Sequence, residues 1–362
     1  MSNETKRTFK DALSEIGLNT DDNLEGLDMR KINLKNVDAS VGVLSENSLK
    51  GVDFSGTDMR GAQLCEQNLR SVDFTNTDLT GANLSGADLT GAIFNGTNLT
   101  NANFTGSRLD RTDLRTTIVN GAIFSSVVGV RVVLAGLSLK GLDFEEADLS
   151  SCDFTGTCLT NANLKNGDFR GSDFSKSELE GVNLTGAEVS GAIFKKAILK
   201  DAIFTDCKAY TANFKKADLS YAQMGNAIFN FSDFTKAILR GATLTLSSFD
   251  SAIFNTNPLT GAVLGRINLE GASLINLNLE QSDLKNAYMP YVKIHNVSFA
   301  GADLTGASMQ GALLYNVMLN NANLEGTNLK FSKMTRVALD TSDLESSNLL
   351  GMQQASGAST WY

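Results

Sequence analysis

An apolar residue stands at every fifth position of this 362-residue chain from Leu24 to Leu349, without a change of phase. The frame has 66 consecutive positions, and 63 of them are Leu, Phe, Met, Ile or Val; the exceptions are Ala39, Gly129 and Ala209. A period of five fits neither the ~3.6-residue period of an α-helix nor the alternation of a strand. The pattern therefore predicts a backbone that turns once in each five-residue unit.

The positions around each apolar centre have their own preferences, as the stretch ANLSGADLTGAIFNGTNLTNANF (82–104) shows. Two residues before the centre the chain places a small residue, and directly before the centre it usually places Asp or Asn. We expect the centre and the small residue to point inward, with the small residue at a tight corner. The other three positions are expected to face solvent.

These units resemble the A(D/N)LXX motif of the pentapeptide-repeat family over residues 22–351. The resemblance implies an all-β fold, a right-handed quadrilateral parallel β-helix with four units per coil and about 16 coils. The phenylalanines agree with four units, because sorting the centres by position modulo 20 puts nine of the 17 on-frame Phe residues into one column, which runs from Leu34 to Met334. This column predicts a ladder of stacked rings: Phe54, Phe74, Phe94, Phe154, Phe174, Phe194, Phe214, Phe234 and Phe254.

The segments outside the repeat are predicted to protect its ends. Residues 1–21 are interpreted as an N-terminal cap, with a short helix within 4–16 that places Phe9, Leu13 and Ile16 at helical spacing; a disordered leader is the alternative. Residues 352–362 form a C-terminal tail that ends in Trp361 and Tyr362. These two rings are predicted to cover the last coil, or else to contact another subunit in an end-to-end or C-terminal dimer.

Composition argues against an enzyme, a metal site or a cofactor site. The chain has 1 His and 4 Cys, and the cysteines show no CxxC spacing. Cys152 and Cys207 occupy the small inward position, where Cys packs like Ala. His295 has no partner in the sequence pattern, and the many Asp residues belong to the repeat itself. We therefore expect no catalytic residue, no cofactor and no metal.

The charge and the ends of the sequence also restrict location and partners. A net charge of −9 argues against direct nucleic-acid binding. The start, MSNETKRTFK, lacks the apolar run of a signal peptide, and no stretch of 18 apolar residues predicts a membrane span. The expected location is the cytoplasm, with secretion without a cleaved signal peptide as the alternative.

Modulo-20 sorting also distributes the charges over four faces. Two adjacent faces sum to −10 and −5, and the other two sum to +5 and +2, which predicts an acidic side opposite a basic side. The densest basic cluster is a candidate site for an anionic partner, with a solvated lysine stripe as the alternative. It consists of Lys176, Lys195, Lys196, Lys215, Lys216 and Lys236.

A second candidate binding surface is apolar. In one coil the outward position before the centre is apolar on every face, and Val130 adds to it. We interpret this apolar belt either as an interface or as a local bulge of the coil at Gly129. The belt consists of Ile118, Ile123, Val128, Val130 and Val133.

Three functions compete at this stage. A rigid rod with repeated ladders of side chains suits a non-enzymatic scaffold that binds protein partners, which is the preferred hypothesis. The family resemblance also implies a DNA mimic that binds DNA gyrase or topoisomerase IV, and the acidic faces agree with that alternative. The third alternative is a bacterial effector translocated into host cells, which the polar N-terminus permits.

Overall fold

The computed structural model describes residues 8–19, 22, 24–29, 32, 34, 49–239, 241–244, 246–249, 252–253, 264–339 and 346–354. The chain forms two compact units, Met1–Asp173 (the first unit) and Phe174–Tyr362 (the second unit). Each unit is a parallel β-helix. The residue before each centre pairs in parallel with the residue 20 positions later, as in Asp53↔Asp73 of the first unit and Ile193↔Asn213 of the second. Four five-residue units therefore complete a coil, as the phenylalanine spacing predicted.

Longer strands occur in the second unit. They form one parallel five-stranded sheet in the order β1-β2-β3-β4-β5, with Ser273 paired to Lys293 and Lys293 paired to Leu313. The strands are β1 (Ser273–Ile275), β2 (Lys293–Ser298), β3 (Leu313–Met318), β4 (Lys333–Ala338) and β5 (Gln353–Gln354).

A short helix, α1 (Phe9–Ser14), lies in the predicted N-terminal cap. The Thr8 side chain accepts a hydrogen bond from the Asp11 amide, and the Asp11 carboxylate accepts one from the Thr8 amide, so a capping box begins the helix. Phe9 and Leu13 are buried, whereas Ile16 follows the end of the helix and is 38% exposed. The role of Phe9, Leu13 and Ile16 as an end cap or a dimer contact stays a prediction. In the described ranges, no helix has the length and apolarity that a membrane span needs.

The interior of each unit is a stack of apolar centres. Phe54, Phe74 and Phe94 stack with ring-centroid distances of 5.9 and 5.5 Å. In the second unit, the rings of the column from Phe174 to Phe234 stack at 4.8–5.0 Å. The predicted ladder is thus confirmed for Phe54–Phe94 in the first unit and for Phe174–Phe234 in the second. Phe154 contacts Phe144 and Phe169 edge-on, and Phe254 lies outside the described residues. Each buried centre contributes on the order of 1.5–3 kcal/mol of burial free energy.

Most small inward Ser and Thr residues donate their hydroxyl group to a backbone carbonyl, although the buried Ser107 hydroxyl has no partner among the described residues. The Thr77 hydroxyl donates to the carbonyl of Phe54 in the preceding coil (2.8 Å), and the Ser172 hydroxyl donates to the carbonyl of Leu149 (2.7 Å). These inward residues lie on the flat face and not at the corner, which corrects the sequence-based expectation. The corner is formed by the two residues after the centre.

The Asp or Asn before each centre prepares the following corner. The Ser55 amide donates to Oδ1 of Asp53 (2.9 Å), and the Thr75 amide donates to Oδ1 of Asp73 (2.8 Å). This is an Asx turn, which a carboxylate or an amide side chain forms equally well. The recurring Asp and Asn residues are therefore explained by turn formation and not by acid–base chemistry.

The second corner residue has a left-handed backbone. It is glycine in many units, with φ near +67° as at Gly106; elsewhere it is a polar, charged, aromatic or leucine side chain with φ between +53° and +62°. An L-residue in this conformation costs roughly 1–2 kcal/mol, whereas glycine adopts it freely. The glycine content of the repeat therefore follows from this corner position.

Two pairings depart from the 20-residue register. Asp28 pairs with Asp53 and Thr243 pairs with Asn268, so 25 residues separate each pair. Each connection therefore contains one additional five-residue unit. In the same way, the Leu34 amide donates to the Asp58 carbonyl (3.1 Å), and Ser248 pairs with Ser273. Sorting the sequence by position modulo 20 therefore placed Leu34 and the centres after residue 263 in the wrong columns.

The corner geometry predicts a specific glycine effect. Gly156 has φ +66° and no heavy atom within 4 Å of an added Cβ. Gly156→Ala is therefore expected to lower the free energy of unfolding by about 1–2 kcal/mol through backbone strain. Denaturant unfolding followed by circular dichroism measures the change.

Gly265 provides the matched control, because it is the first residue of its corner, lies outside the left-handed region and has ordinary 3.8 Å neighbours around an added Cβ. Gly265→Ala is expected to cause no loss of stability, since alanine reduces the conformational entropy of the unfolded chain. Equal losses for the two variants would contradict the assignment of strain to the second corner residue.

The inward cysteines predict thiol reactivity and an alkaline loss of stability. Burial raises the pKa of the Cys152 thiol to about 12 and also raises that of Cys207. Cys65 and Cys158 are only half-buried. A thiol reagent at mildly alkaline pH is expected to modify Cys65 and Cys158 in the folded protein, and all four cysteines after unfolding.

The sign of the pH effect follows from the raised pKa. Above the ordinary thiol pKa the unfolded chain loses a proton that folded Cys152 retains, so stability is complete at lower pH and falls as pH rises toward about 12. Cys152→Ala is expected to show a smaller alkaline decrease of the denaturation midpoint than the wild-type protein. An identical decrease in both proteins would rule out this contribution of Cys152.

Candidate functional site

The six sequence-predicted lysines lie together on one corner of the second unit, which we call the lysine ridge. Lys195 and Lys215 are first corner residues. The other four are second corner residues in successive coils, all exposed and all left-handed with φ of +60° to +62°; they are Lys176, Lys196, Lys216 and Lys236. Because neighbouring coils lie ~4.8 Å apart, the ridge has the spacing of a parallel sheet.

Most of the positive charge of the ridge is not neutralised locally. Lys215 Nζ lies 2.9 Å from Oδ2 of Asp233. Burial tends to raise the pKa of Asp233, but hydrogen bonds from Thr235 and Lys215 hold that pKa below its ordinary value. In the part of the chain that the structure describes, the other five ridge lysines have no ion pair.

Like charges at this spacing repel one another. Two ammonium groups one coil apart interact unfavourably by about 1 kcal/mol in water before salt screening. An anionic partner placed along the ridge removes this repulsion, and it gains favourable interactions with several ammonium groups at once.

Exposed isoleucines border the ridge on both sides. Ile253 lies on the face before the ridge corner and is 43% exposed. Ile198 and Ile238, on the face after this corner, are 42% and 40% exposed. Asp218 separates them on that face, and it is paired with Lys200 at 3.6 Å. The ridge is therefore a cationic line between two partly apolar faces.

The apolar belt of the first unit is not brought together into one patch. Ile118 pairs with Asn98, Ile123 lies between Asn103 and Asp143, and the remaining faces repeat this arrangement. Each face therefore carries one belt residue between polar neighbours. Ile118, Ile123 and Val130 are 51%, 41% and 42% exposed, whereas Val128 and Val133 are half-buried.

The parallel ladder is regular on both sides of Gly129. The Gly129 amide donates to the Asp148 carbonyl (2.8 Å), and the Leu109 amide donates to the Val128 carbonyl (2.7 Å), so the regular ladder continues through this coil. An added Cβ on Gly129 would lie 2.6 Å from Cγ2 of Val132, which shows that the Val132 side chain fills the missing volume.

At the corner after Gly129 the Val132 amide donates to Sγ of Cys152 (3.3 Å), whereas the equivalent amides of Thr112 and Leu137 donate to the carbonyl of the centre three residues earlier. The interface and the local bulge therefore both stay predictions.

The remaining sequence candidates offer no chemistry. The His295 ring contacts the edge of Tyr315, with 4.8 Å between the ring centroids. Across the described residues, His, Cys, Asp and Glu side chains nowhere form a group of three that suits a metal ion. The predicted end contacts Trp361 and Tyr362 lie outside the described residues.

The charges do not form an acidic side opposite a basic side. Outward aspartates in the phenylalanine-ladder column of the first unit include Asp53, Asp73 and Asp153, whereas the lysine ridge follows the same column in the second unit. The total charge of +5 for that column therefore added an acidic patch of the first unit to a basic patch of the second unit. The two 25-residue connections also move charges at each end of the repeat into neighbouring columns.

Sequence analysis did not identify an arginine-lined groove of about 540 Å³ in the first unit. We call it the arginine groove; its lining includes Arg70, Arg108, Arg111, Arg131, Asp110 and Val130. The available signal was the 20-residue spacing of Arg111 and Arg131, but summing charges over a whole face concealed it.

Comparison with known proteins identifies the repeat. The family model for pentapeptide repeats matches eight times, and the matches extend over more than half of the chain. The matched residues are 48–86, 82–121, 130–166, 168–201, 199–230, 212–250, 259–289 and 293–330. No curated protein sequence matches the chain.

Solved pentapeptide-repeat structures are also similar to the chain. HetL from the cyanobacterium Nostoc sp. strain PCC 7120 is 24% identical, with 76% of this chain and 89% of HetL covered and a TM-score of 0.17. QnrB1, a plasmid-mediated fluoroquinolone resistance protein, is 20% identical, with 62% and 92% covered and a TM-score of 0.25. A protein from the Arabidopsis thaliana thylakoid lumen is 27% identical, with 33% and 66% covered and a TM-score of 0.21. Because these TM-scores are low, the family assignment rests on the family model.

Proposed function

Because the chain belongs to the pentapeptide-repeat family, we propose that it is a non-enzymatic scaffold that binds a protein partner along the lysine ridge. The observation that carries this proposal is the line of exposed, left-handed lysines in successive coils, five of the six ridge lysines having no ion pair within the described residues. A regular coil spacing holds these charges in register, so a partner with acidic residues in an extended segment meets several of them simultaneously.

The flanking isoleucines define the partner more narrowly. A purely acidic ligand leaves Ile198, Ile238 and Ile253 exposed, whereas a segment with both acidic and apolar residues covers them as well. Charge then supports the rate of association and the choice of partner, and burial of the isoleucines supports affinity. We therefore propose an acidic, partly apolar protein segment as the occupant of the ridge.

Capture of partners from the native cell tests the ridge. The variant is Lys196→Gln/Lys216→Gln, and its matched control is Arg111→Gln/Arg131→Gln. Each variant removes two cationic groups from second corner positions 20 residues apart with φ of +60° to +62°. The ridge variant is expected to retain at least about tenfold less of the specific partner, because each of its two substitutions removes a charge–charge attraction across the interface.

The control variant is expected to retain the partner at the wild-type level. Thermal unfolding of both variants checks that the fold is unchanged. Retention of every wild-type partner by the ridge variant would eliminate the ridge as the binding edge. If both variants lost the same amount of partner, binding would depend on the net charge of the chain and not on the lysine ridge.

A second candidate function is DNA mimicry toward DNA gyrase or topoisomerase IV. The observation in its favour is the series of outward aspartates in the first unit, with Asp53↔Asp73 and Asp58↔Asp78 paired on adjacent faces. A DNA duplex carries one charge per ~1.7 Å of its axis, whereas uncharged and basic residues such as Asn83, Ile93 and Arg108 interrupt the outward aspartates here. The lower charge density is the reason that we place this function second.

A gyrase supercoiling assay, with and without ciprofloxacin, tests the DNA-mimic function. Its matched variant is Asp53→Asn/Asp73→Asn, because asparagine keeps the oxygen that accepts the Ser55 and Thr75 amides and removes only the charge. A DNA mimic is expected to alter gyrase activity in the wild-type form and to lose about tenfold in potency in this variant. No effect of excess wild-type protein would dismiss this candidate.

A further inference from the structure

The arginine groove is organised around two guanidinium groups that have no carboxylate partner among the described residues. Arg111 and Arg131 are second corner residues of successive coils, each with φ +61°. The Arg111 amide donates to the Val130 carbonyl (3.0 Å), so the backbone ladder fixes the relative position of the two corners. Among the residues that the structure describes, neither Arg111 nor Arg131 forms an ion pair.

Two further arginines extend the groove, and carboxylates hold them in place. Arg108 Nη1 donates to Oδ2 of Asp110 (2.9 Å), and Arg70 Nη1 donates to Oδ2 of Asp88 (3.2 Å). Oδ1 of Asp110 accepts the Val130 amide (2.8 Å), which anchors this carboxylate to the next coil. Each guanidinium has five N–H donors, so both paired arginines keep donors for a ligand.

The charge of the cluster remains positive after these pairs are counted. Four guanidinium groups face two carboxylates, those of Asp88 and Asp110, and the two unpaired guanidiniums supply the excess. Burial tends to raise the pKa of Asp88, but hydrogen bonds from Thr90 and the Arg70 ion pair lower it below its ordinary value. Asp88 and Asp110 already pair with Arg70 and Arg108, and the excess positive charge is available for an external anion.

We propose that the arginine groove binds a small molecule through a diphosphate group. The planar guanidinium fork matches phosphate oxygens in a bidentate manner, which a lysine ammonium does not. Two free forks one coil apart, ~4.8 Å, match two linked phosphoryl groups better than a single carboxylate or phosphate. The volume of about 540 Å³ lies within the ~300–1,000 Å³ range of small-molecule sites, and Val130 provides an apolar contact for an organic portion.

Isothermal titration calorimetry at low ionic strength, with the full chain, tests this site. The probes are inorganic pyrophosphate, orthophosphate and ADP. Pyrophosphate is expected to bind at least about tenfold more tightly than orthophosphate, because only pyrophosphate engages both free forks. ADP that binds more tightly than pyrophosphate indicates a nucleotide source of the diphosphate, and equal affinities indicate recognition of the diphosphate group only.

Two matched variants separate a specific site from general charge. Arg111→Gln/Arg131→Gln is expected to weaken pyrophosphate binding at least about tenfold. Arg266→Gln/Arg336→Gln removes the same charge from second corner positions of the second unit that lie outside the lysine ridge, and it is expected to leave the affinity within about twofold. Arg111→Lys/Arg131→Lys keeps the charge but not the fork, and it is expected to give intermediate affinity.

Asp110→Asn provides an independent check, because it is expected to raise the pyrophosphate affinity where the arginine variants lower it. The amide oxygen still accepts the Val130 amide, while the negative charge beside the ligand is lost. Pyrophosphate affinity is expected to increase about threefold or more. The proposal is overturned if wild-type protein does not bind pyrophosphate, or if Arg266→Gln/Arg336→Gln weakens binding as much as Arg111→Gln/Arg131→Gln. It is also overturned if Asp110→Asn leaves the affinity unchanged or lower.

Discussion

The left-handed conformation of the second corner residue is the constraint on which the rest of the structure depends. It turns the chain onto the next flat face within two residues, so that four corners return the chain to its starting face after 20 residues. The Asx side chain before the centre stabilises the same corner from the other side, as Asp53 does with the Ser55 amide. Apolar packing then fills the interior that these corners enclose, as the stacked Phe174–Phe194 pair shows.

The same corner determines where functional charge accumulates. A side chain at the second corner position points away from the coil and lies directly beside its equivalent in the next coil, so any residue type that recurs after 20 positions becomes a ladder. Lys196 and Lys216 form such a ladder in the second unit, and Arg111 and Arg131 form one in the first. Each of these residues also bears the strain of a left-handed L-residue, roughly 1–2 kcal/mol. A glycine at these positions avoids that cost, so the basic side chains add charge to the surface at the expense of stability.

Much of this fold was predictable from local pattern. The five-residue frame identified the inward centres, the 20-residue recurrence of Phe identified the stacked ladders, and Cys152 and Cys207 were correctly placed inside. The lysine ridge was predictable for the same reason, since its members repeat within an undisturbed register. The apolar belt was less predictable, because Ile118 and Ile123 are close in sequence but lie on different faces between polar neighbours. The arginine groove combines corner residues with Arg108 from the adjacent face, so a sum over each face could not reveal it.

The amino-acid sequence by itself determined the repeat, its inward and outward positions and the parallel β-helix that follows from them. Only the tertiary structure decided which residues of successive coils lie on the same face within each unit. An additional unit of five residues preserves the apolar frame, so the sequence shows no break, yet it turns the chain by one corner and moves every later residue to the next face. Asp28↔Asp53 and Thr243↔Asn268 mark these two places. The tertiary structure also decided which charges have partners, because Asp88 and Asp110 neutralise Arg70 and Arg108 through contacts between and within coils, while Arg111 and Arg131 stay available.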